Sequence, residues 1–278
     1  MKTTILKKLI LATAIIPFLT GCQNKNTIDD TNIVVGASIT PHAEILRQAR
    51  PYIESQGYTL EIVEFNDYVL PNEGVAEGSL DANFFQHKPY LDGFNQEKNT
   101  NIVEVAKIHF EPLGVYAGKN SFDVNDIVNT IDRKAQIGIP NDSTNGARAL
   151  ILLENLGIIK LDASKGLNVT AKDIIQNPYE VEIIEFTAEQ LPTQLSDLDY
   201  AVINGNYALS GNVLDKAIEG SFETSKSEGA TLYANIIACQ SGNENSKAIK
   251  LLVEALKQDN VTNYIKDTYQ GLVLPYLE

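Results

Sequence analysis

The segment Ile139 to Leu150, IPNDSTNGARAL, closes a short apolar run at a proline and then enters a helical pattern that carries an arginine. Arginine is scarce in this chain: Arg47, Arg50, Arg133 and Arg148 are the only four. A helix N-terminus offers unbonded N–H groups and the positive end of the helix dipole, both of which favour an anion. Ser143, Thr144 and Asn145 suit a helix cap. Arg148 falls about one turn inside, where its planar guanidinium can meet a carboxylate through two parallel hydrogen bonds. Together they would form a carboxylate clamp. The same spacing also suits a well-capped surface helix with an incidental arginine.

A second segment, DANFFQHKPYLDGF (Asp81 to Phe94), surrounds His87 with Phe84, Phe85 and Tyr90. An aromatic wall with a polar tip fits a small, partly apolar ligand, and equally a core aromatic cluster with a satisfied histidine. Two further segments, AVINGNYA and LYANIIAC, place Asn204 and Asn235 at the edges of apolar runs. An asparagine carbonyl accepts from an ammonium group and its amide donates to a carboxylate, although asparagine is also a common turn residue.

The elements that must position these groups alternate. Strands are expected at Ile33–Ala37, Thr59–Phe65, Leu113–Ala117, Ala135–Ile139, Val181–Phe186, Tyr200–Asn204 and Leu232–Ala238. Helices are expected at His42–Gln56, broken near Pro51, and at Gly146–Asn155, Ala188–Leu195, Tyr207–Ile218 and Ser246–Gln258. Such alternation predicts α/β layers, in which ligands bind beyond the carboxyl ends of strands. The polar clusters at 141–145 and 204–206 fall at such ends.

Composition narrows the class. The chain has 278 residues, is 44% hydrophobic, and carries a net charge of −14. Its pI of about 4.7 and the lack of a basic block argue against nucleic acid as a partner. Lys2, Lys7 and Lys8 precede a short apolar stretch, Leu9 to Leu19, that is too short to span a bilayer. Leu19-Thr20-Gly21-Cys22 follows and resembles the lipobox of bacterial lipoproteins. That resemblance implies a signal peptide at 1–21, lipidation of Cys22, and a polar tether at 22–32 holding the protein to a membrane surface. Once Cys22 is lipidated, Cys239 has no disulfide partner; it reads as a small core residue.

Taken together, IPND-x-TN-x-x-R, DAN-[aromatic]-FQH-x-PYLD, AVIN-x-x-YA, YANII and Asp67-Tyr68-x-x-Pro71-Asn72 resemble the MetQ/NlpA family of methionine-binding lipoproteins, over about Ile33 to Gly271. These are the substrate-binding components of bacterial methionine ABC importers. The resemblance implies an α/β, two-lobed periplasmic-binding-protein fold (type II-like) with a ligand cleft between lobes. Lobe 1 would be 31–114 plus 239–278 and lobe 2 would be 115–238, with crossings near Leu113-Gly114 and Ile237-Ala238. It implies that Arg148 holds the methionine carboxylate with Asn145 beside it. Asn204 and Asn235 would bind the amino and carboxylate ends, and Tyr68, Phe85, His87 and Tyr90 would line the side-chain pocket. It implies hinge closure over the ligand, a monomer partnered by the importer's permease and ATPase subunits, and a place in the cell envelope facing the periplasm or exterior. No cofactor or metal is implied. Gly74 and Val75 stand where many relatives carry an alanine-leucine pair, which touches the expected pocket rim. D-Methionine, glycyl-methionine or another amino acid remain alternative ligands. A surface-anchored enzyme built on His87 is the alternative of another class, but no Gly-x-Ser-x-Gly or His-Glu-x-x-His motif is present. The wide spacing of His42, His87 and His109 argues against a histidine-rich metal site.

Overall fold

Short apolar runs bounded by polar turns assemble into two mixed sheets. The computed structural model describes residues 31–119, 134–224, 228–269 and 271–276; the signal segment and Cys22 lie outside them. In chain order the strands are β1 (Asn32–Ser38), β2 (Thr59–Phe65), β3 (Ala82–His87), β4 (Ile102–Phe110), β5 (Gly114–Ala117), β6 (Gln136–Pro140), β7 (Lys160–Leu161), β8 (Ile174–Gln176), β9 (Glu182–Phe186), β10 (Tyr200–Ile203), β11 (Ala234–Gln240) and β12 (Leu274–Pro275). The α-helices are α1 (Glu44–Ser55), α2 (Leu70–Glu77), α3 (Lys88–Lys98), α4 (Ser143–Asn155), α5 (Leu191–Gln194), α6 (Gly205–Ser210), α7 (Glu228–Leu232), α8 (Lys247–Leu256) and α9 (Asp259–Tyr269).

The first sheet has the order β12-β4-β11-β3-β1-β2 and the second β5-β10-β6-β9. β1 runs parallel to β2 and β3, whereas the returning β11 lies antiparallel between β3 and β4. The expected return crossing near Ile237-Ala238 therefore falls inside β11, and the change of sheet comes before Ala234. On the outward path Gly114 already belongs to the second sheet.

Both faces of each sheet are covered, so the strands are apolar on both sides. On the first sheet, Ile45, Leu46 and Ala49 of α1 join Ile249 and Leu252 of α8 and Ile265 of α9 on one face. Val75 of α2 and Leu91 and Phe94 of α3 cover the other. In the second sheet, alternation along β10 sends Tyr200 and Val202 toward α4 while Ala201 and Ile203 face α5 and α6. Pro51 sits inside α1, which continues past it to Ser55. Expected helices at 188–195 and 207–218 are shorter and split, with 3₁₀ turns at Ala188–Gln190 and Leu214–Lys216.

One polar cluster lies within this packing. Asn72 of α2 and Asn83 and Gln86 of β3 are buried and close a ring of hydrogen bonds of 2.7–2.9 Å. Asn83 also donates to the Pro71 carbonyl. The ring pins α2 to β3 beside a bulge, where Gln86 and Phe84 oppose consecutive residues Ile236 and Ile237. Replacing Asn72 by alanine leaves Gln86 and Asn83 with buried, unpaired groups. At about 1–3 kcal/mol per orphaned group, Asn72→Ala is expected to cost at least about 2 kcal/mol, read from urea midpoints. Gly74 and Val75 sit next to this ring but away from the ligand cavity: Val75 is core, and a Cβ on Gly74 would meet Leu80 Cδ1 at 2.6 Å. Gly74 leaves the room that the Leu80 side chain fills.

Candidate functional site

Five strand ends converge between the two sheets. β3 ends at His87, β6 at Pro140, β10 at Ile203, β4 runs on to Glu111, and β11 begins beside Asn235. Each polar segment follows or opens a strand, as open α/β sheets require for a ligand crevice. Twelve residues enclose the cavity there: Tyr68, Phe85, Gln86, His87, Tyr90, Glu111, Asn145, Arg148, Asn204, Gly205, Asn206 and Asn235. All eight residues singled out from the sequence are among them. The cavity proper measures about 20 Å³, or about 340 Å³ when the space open to solvent is included. The smaller volume holds about one water, so an amino acid can enter only when the two halves part. Contacts across the cleft hold them together: Tyr68 Oη donates to Asn206 Oδ1 at 2.6 Å, Tyr207 Oη to the Asn66 carbonyl at 3.0 Å, and the Tyr68 and Tyr207 rings stand 4.8 Å apart.

Local chemistry explains each placement. Asp67 accepts from the N–H groups of Val69 and Leu70, starting α2 and turning Tyr68 into the cleft. His87 caps α3: its Nδ1 accepts from Tyr90 N–H, which leaves the proton on Nε2 to donate to Asn145 Oδ1 at 3.0 Å. Burial, and then the nearby Arg148 charge, push His87 down to about 3, against the opposing bond to Asn145. It is a neutral, fixed donor rather than an acid or base at neutral pH. Phe85, Tyr68 and Tyr90 form an aromatic wall with centroids 5.7–6.0 Å apart, Tyr90 standing edge-on to the other two.

The N-terminus of α4 differs from expectation. Its cap is Asp142, whose carboxylate accepts from Asn145 N–H at 2.9 Å and from Thr144 Oγ1. The chain's own carboxylate occupies the positive helix end, and that part of the expected anion clamp is already satisfied. Asn145 is likewise fully engaged. Its amide donates to Asp142, and its Oδ1 accepts from His87 and from Asn204 Nδ2. It orients those neighbours.

Arg148 is 3% exposed. Its Nε and Nη2 donate to Glu223 at 2.9 and 2.5 Å, and Nη2 donates also to the Glu111 carbonyl at 2.9 Å. Tyr233 stacks on the guanidinium at 4.3 Å. Nε and both Nη2 protons are thus spent on Glu223 and the Glu111 carbonyl, and a ligand must use Nη1. Glu223 was missed in the sequence, where it lies in an unpatterned loop.

Glu111 was also missed, and the wide sequence spacing of His42 and His109 proved no guide to their positions. His42, His109 and Glu111 form a buried cluster beside Asn235. His109 Nε2 lies 2.7 Å from Glu111 Oε1, while His42 Nε2 lies 2.9 Å from Asn235 Oδ1 and 3.4 Å from Glu111 Oε1. Two of the three histidines therefore meet, with ring centroids 4.8 Å apart, despite their separation in sequence. Their potential ligand atoms lie within 4.8 Å of one another, the chemistry of a partial zinc set. Protons satisfy the same atoms in the hydrogen bonds just described. Burial holds His42 at about 4, with His109 adding to and Glu111 opposing the effect, and holds His109 at about 3. The i, i+2 spacing of His109 and Glu111 at the end of an extended run was the available signal.

Against known proteins, the profile of the NlpA lipoprotein family matches residues 33–277. The chain is 35% identical to the methionine-binding lipoprotein MetQ of Bacillus subtilis, covering 98% of this chain and 100% of the relative. It is 38% identical to membrane lipoprotein TpN32 of Treponema pallidum over 88% of each. Among solved structures, a nutrient-binding protein from Burkholderia cenocepacia bound to methionine superposes with a TM-score of 0.80 at 37% identity, over 88% of this chain and all of the other.

Proposed function

From its membership of the NlpA lipoprotein family, whose named relatives are substrate-binding lipoproteins with a two-lobed fold, we propose that this chain captures methionine in the cleft between its lobes and hands it to an ABC importer. The observation that carries the reading is the composition of one closed cavity. A buried arginine, amide groups with spare valences and an aromatic wall line the same cleft, which must open to take in a ligand. Arg148 and the Asn235 amide meet the carboxylate, since Asn235 Oδ1 is already used by His42. Phe85, Tyr68 and Tyr90 receive the thioether, whose polarizable sulfur favours ring edges. Opening and closing of the lobes admits and retains the ligand.

A lipid on Cys22 would keep the chain at a membrane surface. Among the described residues no helix is long and apolar enough to cross a membrane, which fits an anchored rather than a spanning role for those residues. The importer's permease and ATPase subunits are the partners this role requires.

Thermal melting against a panel of the common amino acids tests the reading. At 100 times Kd a ligand stabilises by about 2.7 kcal/mol, and at about 2–4 °C per kcal/mol the melting temperature rises by about 5–10 °C. L-Methionine is expected to give the largest shift, with D-methionine and glycyl-methionine as comparison ligands. A panel in which another amino acid shifts the transition and methionine does not would reassign the ligand.

A further inference from the structure

Glu111 is the only carboxylate among the cavity-lining residues, and Arg148 the only permanent cation. The two do not pair: the Arg148 fork goes to Glu223 and reaches only the main-chain carbonyl of Glu111. The histidines that touch the Glu111 side chain are buried and neutral at neutral pH. A buried carboxylate held by neutral donors has no fixed counter-ion, a costly arrangement unless a charge arrives to meet it. Burial accordingly pushes Glu111 above the ordinary carboxylate value, with His42, the Asn206 N–H and Arg148 opposing.

The surroundings are shaped for that carboxylate. His109 Nε2 holds Oε1 at 2.7 Å, which fixes the carboxylate orientation. Gly205 leaves room for the other oxygen: a Cβ there would stand 2.9 Å from Oε2 and 3.1 Å from Glu111 Cβ. Asn204, the residue before it, is buried and lines the same cavity. Its Nδ2 is spent on Asn145, while its Oδ1 has no hydrogen-bond partner among the described residues. Two acceptors, one anionic and one neutral, thus face a space whose donors (Arg148 and the Asn235 amide) lie apart from them in function.

We propose that Glu111 joins Asn204, already expected to bind an end of the zwitterion, at an ammonium subsite, as the counter-ion that makes a free α-amino group a condition of binding. This deepens the methionine reading and rests on it. Glu111, positioned by His109, accepts a hydrogen bond from the ammonium group, and Asn204 Oδ1 accepts a second. The zwitterion is then met by an opposite charge at each end, Glu111 at the ammonium and Arg148 at the carboxylate.

The test uses the full chain in detergent, stripped of ligand, titrated with L-methionine and with its des-amino analogue 4-(methylthio)butanoate. Wild type is expected to prefer L-methionine by a hundredfold or more. Glu111→Gln is expected to lose about a hundredfold in L-methionine affinity while binding the analogue within threefold of wild type. Equal affinity of the wild type for both ligands would overturn the proposal whatever the variant does. So would a variant that weakens both ligands alike, the mark of a structural role, or one that leaves L-methionine untouched. Should another α-amino acid bind in place of methionine, the ligand reading fails alone. The subsite then stands if Glu111→Gln removes that amino acid and spares its des-amino form, and falls if it does not. Failure of every α-amino acid to bind overturns both.

Discussion

Arg148→Ala is expected to lower methionine affinity by at least a hundredfold while the protein remains folded. The side chain is buried, bonded to Glu223 and the Glu111 carbonyl, and covered by Tyr233. Losing one member of a buried charge pair costs about 3–5 kcal/mol, and about 1.4 kcal/mol is tenfold in affinity. Part of that cost falls on the apo protein, because Glu223 is left behind; its side chain retains 15% exposure, and water relieves some of it. Arg148→Lys separates charge from geometry. A lysine keeps the charge but cannot serve Glu223, the Glu111 carbonyl and a ligand together in the planar fork, so it too is expected to bind weakly. Titration calorimetry beside a thermal melt reads both effects. Methionine affinity within tenfold of wild type in Arg148→Ala would remove the arginine from the site's chemistry.

Acid is expected to destabilise the apo protein well before ordinary carboxylates titrate. His42, His87 and His109 are buried and neutral, with folded values of about 4, 3 and 3 against 6.5 when unfolded. A histidine lowered on folding adds nothing unfavourable above its unfolded value. As pH falls below 6.5, the unfolded chain takes up protons that the folded chain refuses. Stability is then lost progressively until the folded values of 3 to 4 are reached. At pH 5 the loss is about 2 kcal/mol per histidine, from about 1.36 kcal/mol per pH unit. Glu111 works in the opposite sense, since a carboxyl raised on folding binds protons more readily in the folded state. One such group against three histidines leaves a net loss. Urea midpoints at pH 7.5, 6 and 5 are expected to fall by an amount worth several kcal/mol in sum, whereas a flat profile would contradict the neutral burial of these rings.

How much of this was readable in advance depends on the range of each interaction. β2 was legible to the residue, and α4 nearly so, because local apolar period and turn chemistry decide them. Seven of the eight cavity residues stood out in local motifs, while Tyr68, and the role of each of the eight, came with the resemblance to the methionine-binding lipoproteins. The Asp142 cap was also in view, since aspartate is a preferred cap and stands just before the helix; the serine and threonine after it drew attention away. β3 and β4 were not assigned as strands. Their residues, ANFFQH and IVEVAKIHF, carry polar groups inward, to the Asn72 ring and to Glu111. That arrangement breaks the simple alternation a sequence reader relies on. His42 joins His109 and Glu111, and Arg148 joins Glu223, across long stretches of sequence, and no local pattern announces such contacts; only the His109–Glu111 spacing was local. The return crossing near Ile237-Ala238 was expected from the family resemblance, whereas the pairing of β11 with β3 and β4 from its first residues is a property of the assembled sheet.

The most direct measurement is isothermal titration of L-methionine into the full chain in detergent, unfolded and refolded beforehand to strip any carried ligand. The chain has no tryptophan, so heat rather than intrinsic indole fluorescence is the natural signal. Saturable one-site binding at micromolar Kd or tighter, about −8 kcal/mol or better, is the predicted result. No heat from refolded, monodisperse protein at methionine concentrations up to the millimolar range would contradict a methionine receptor.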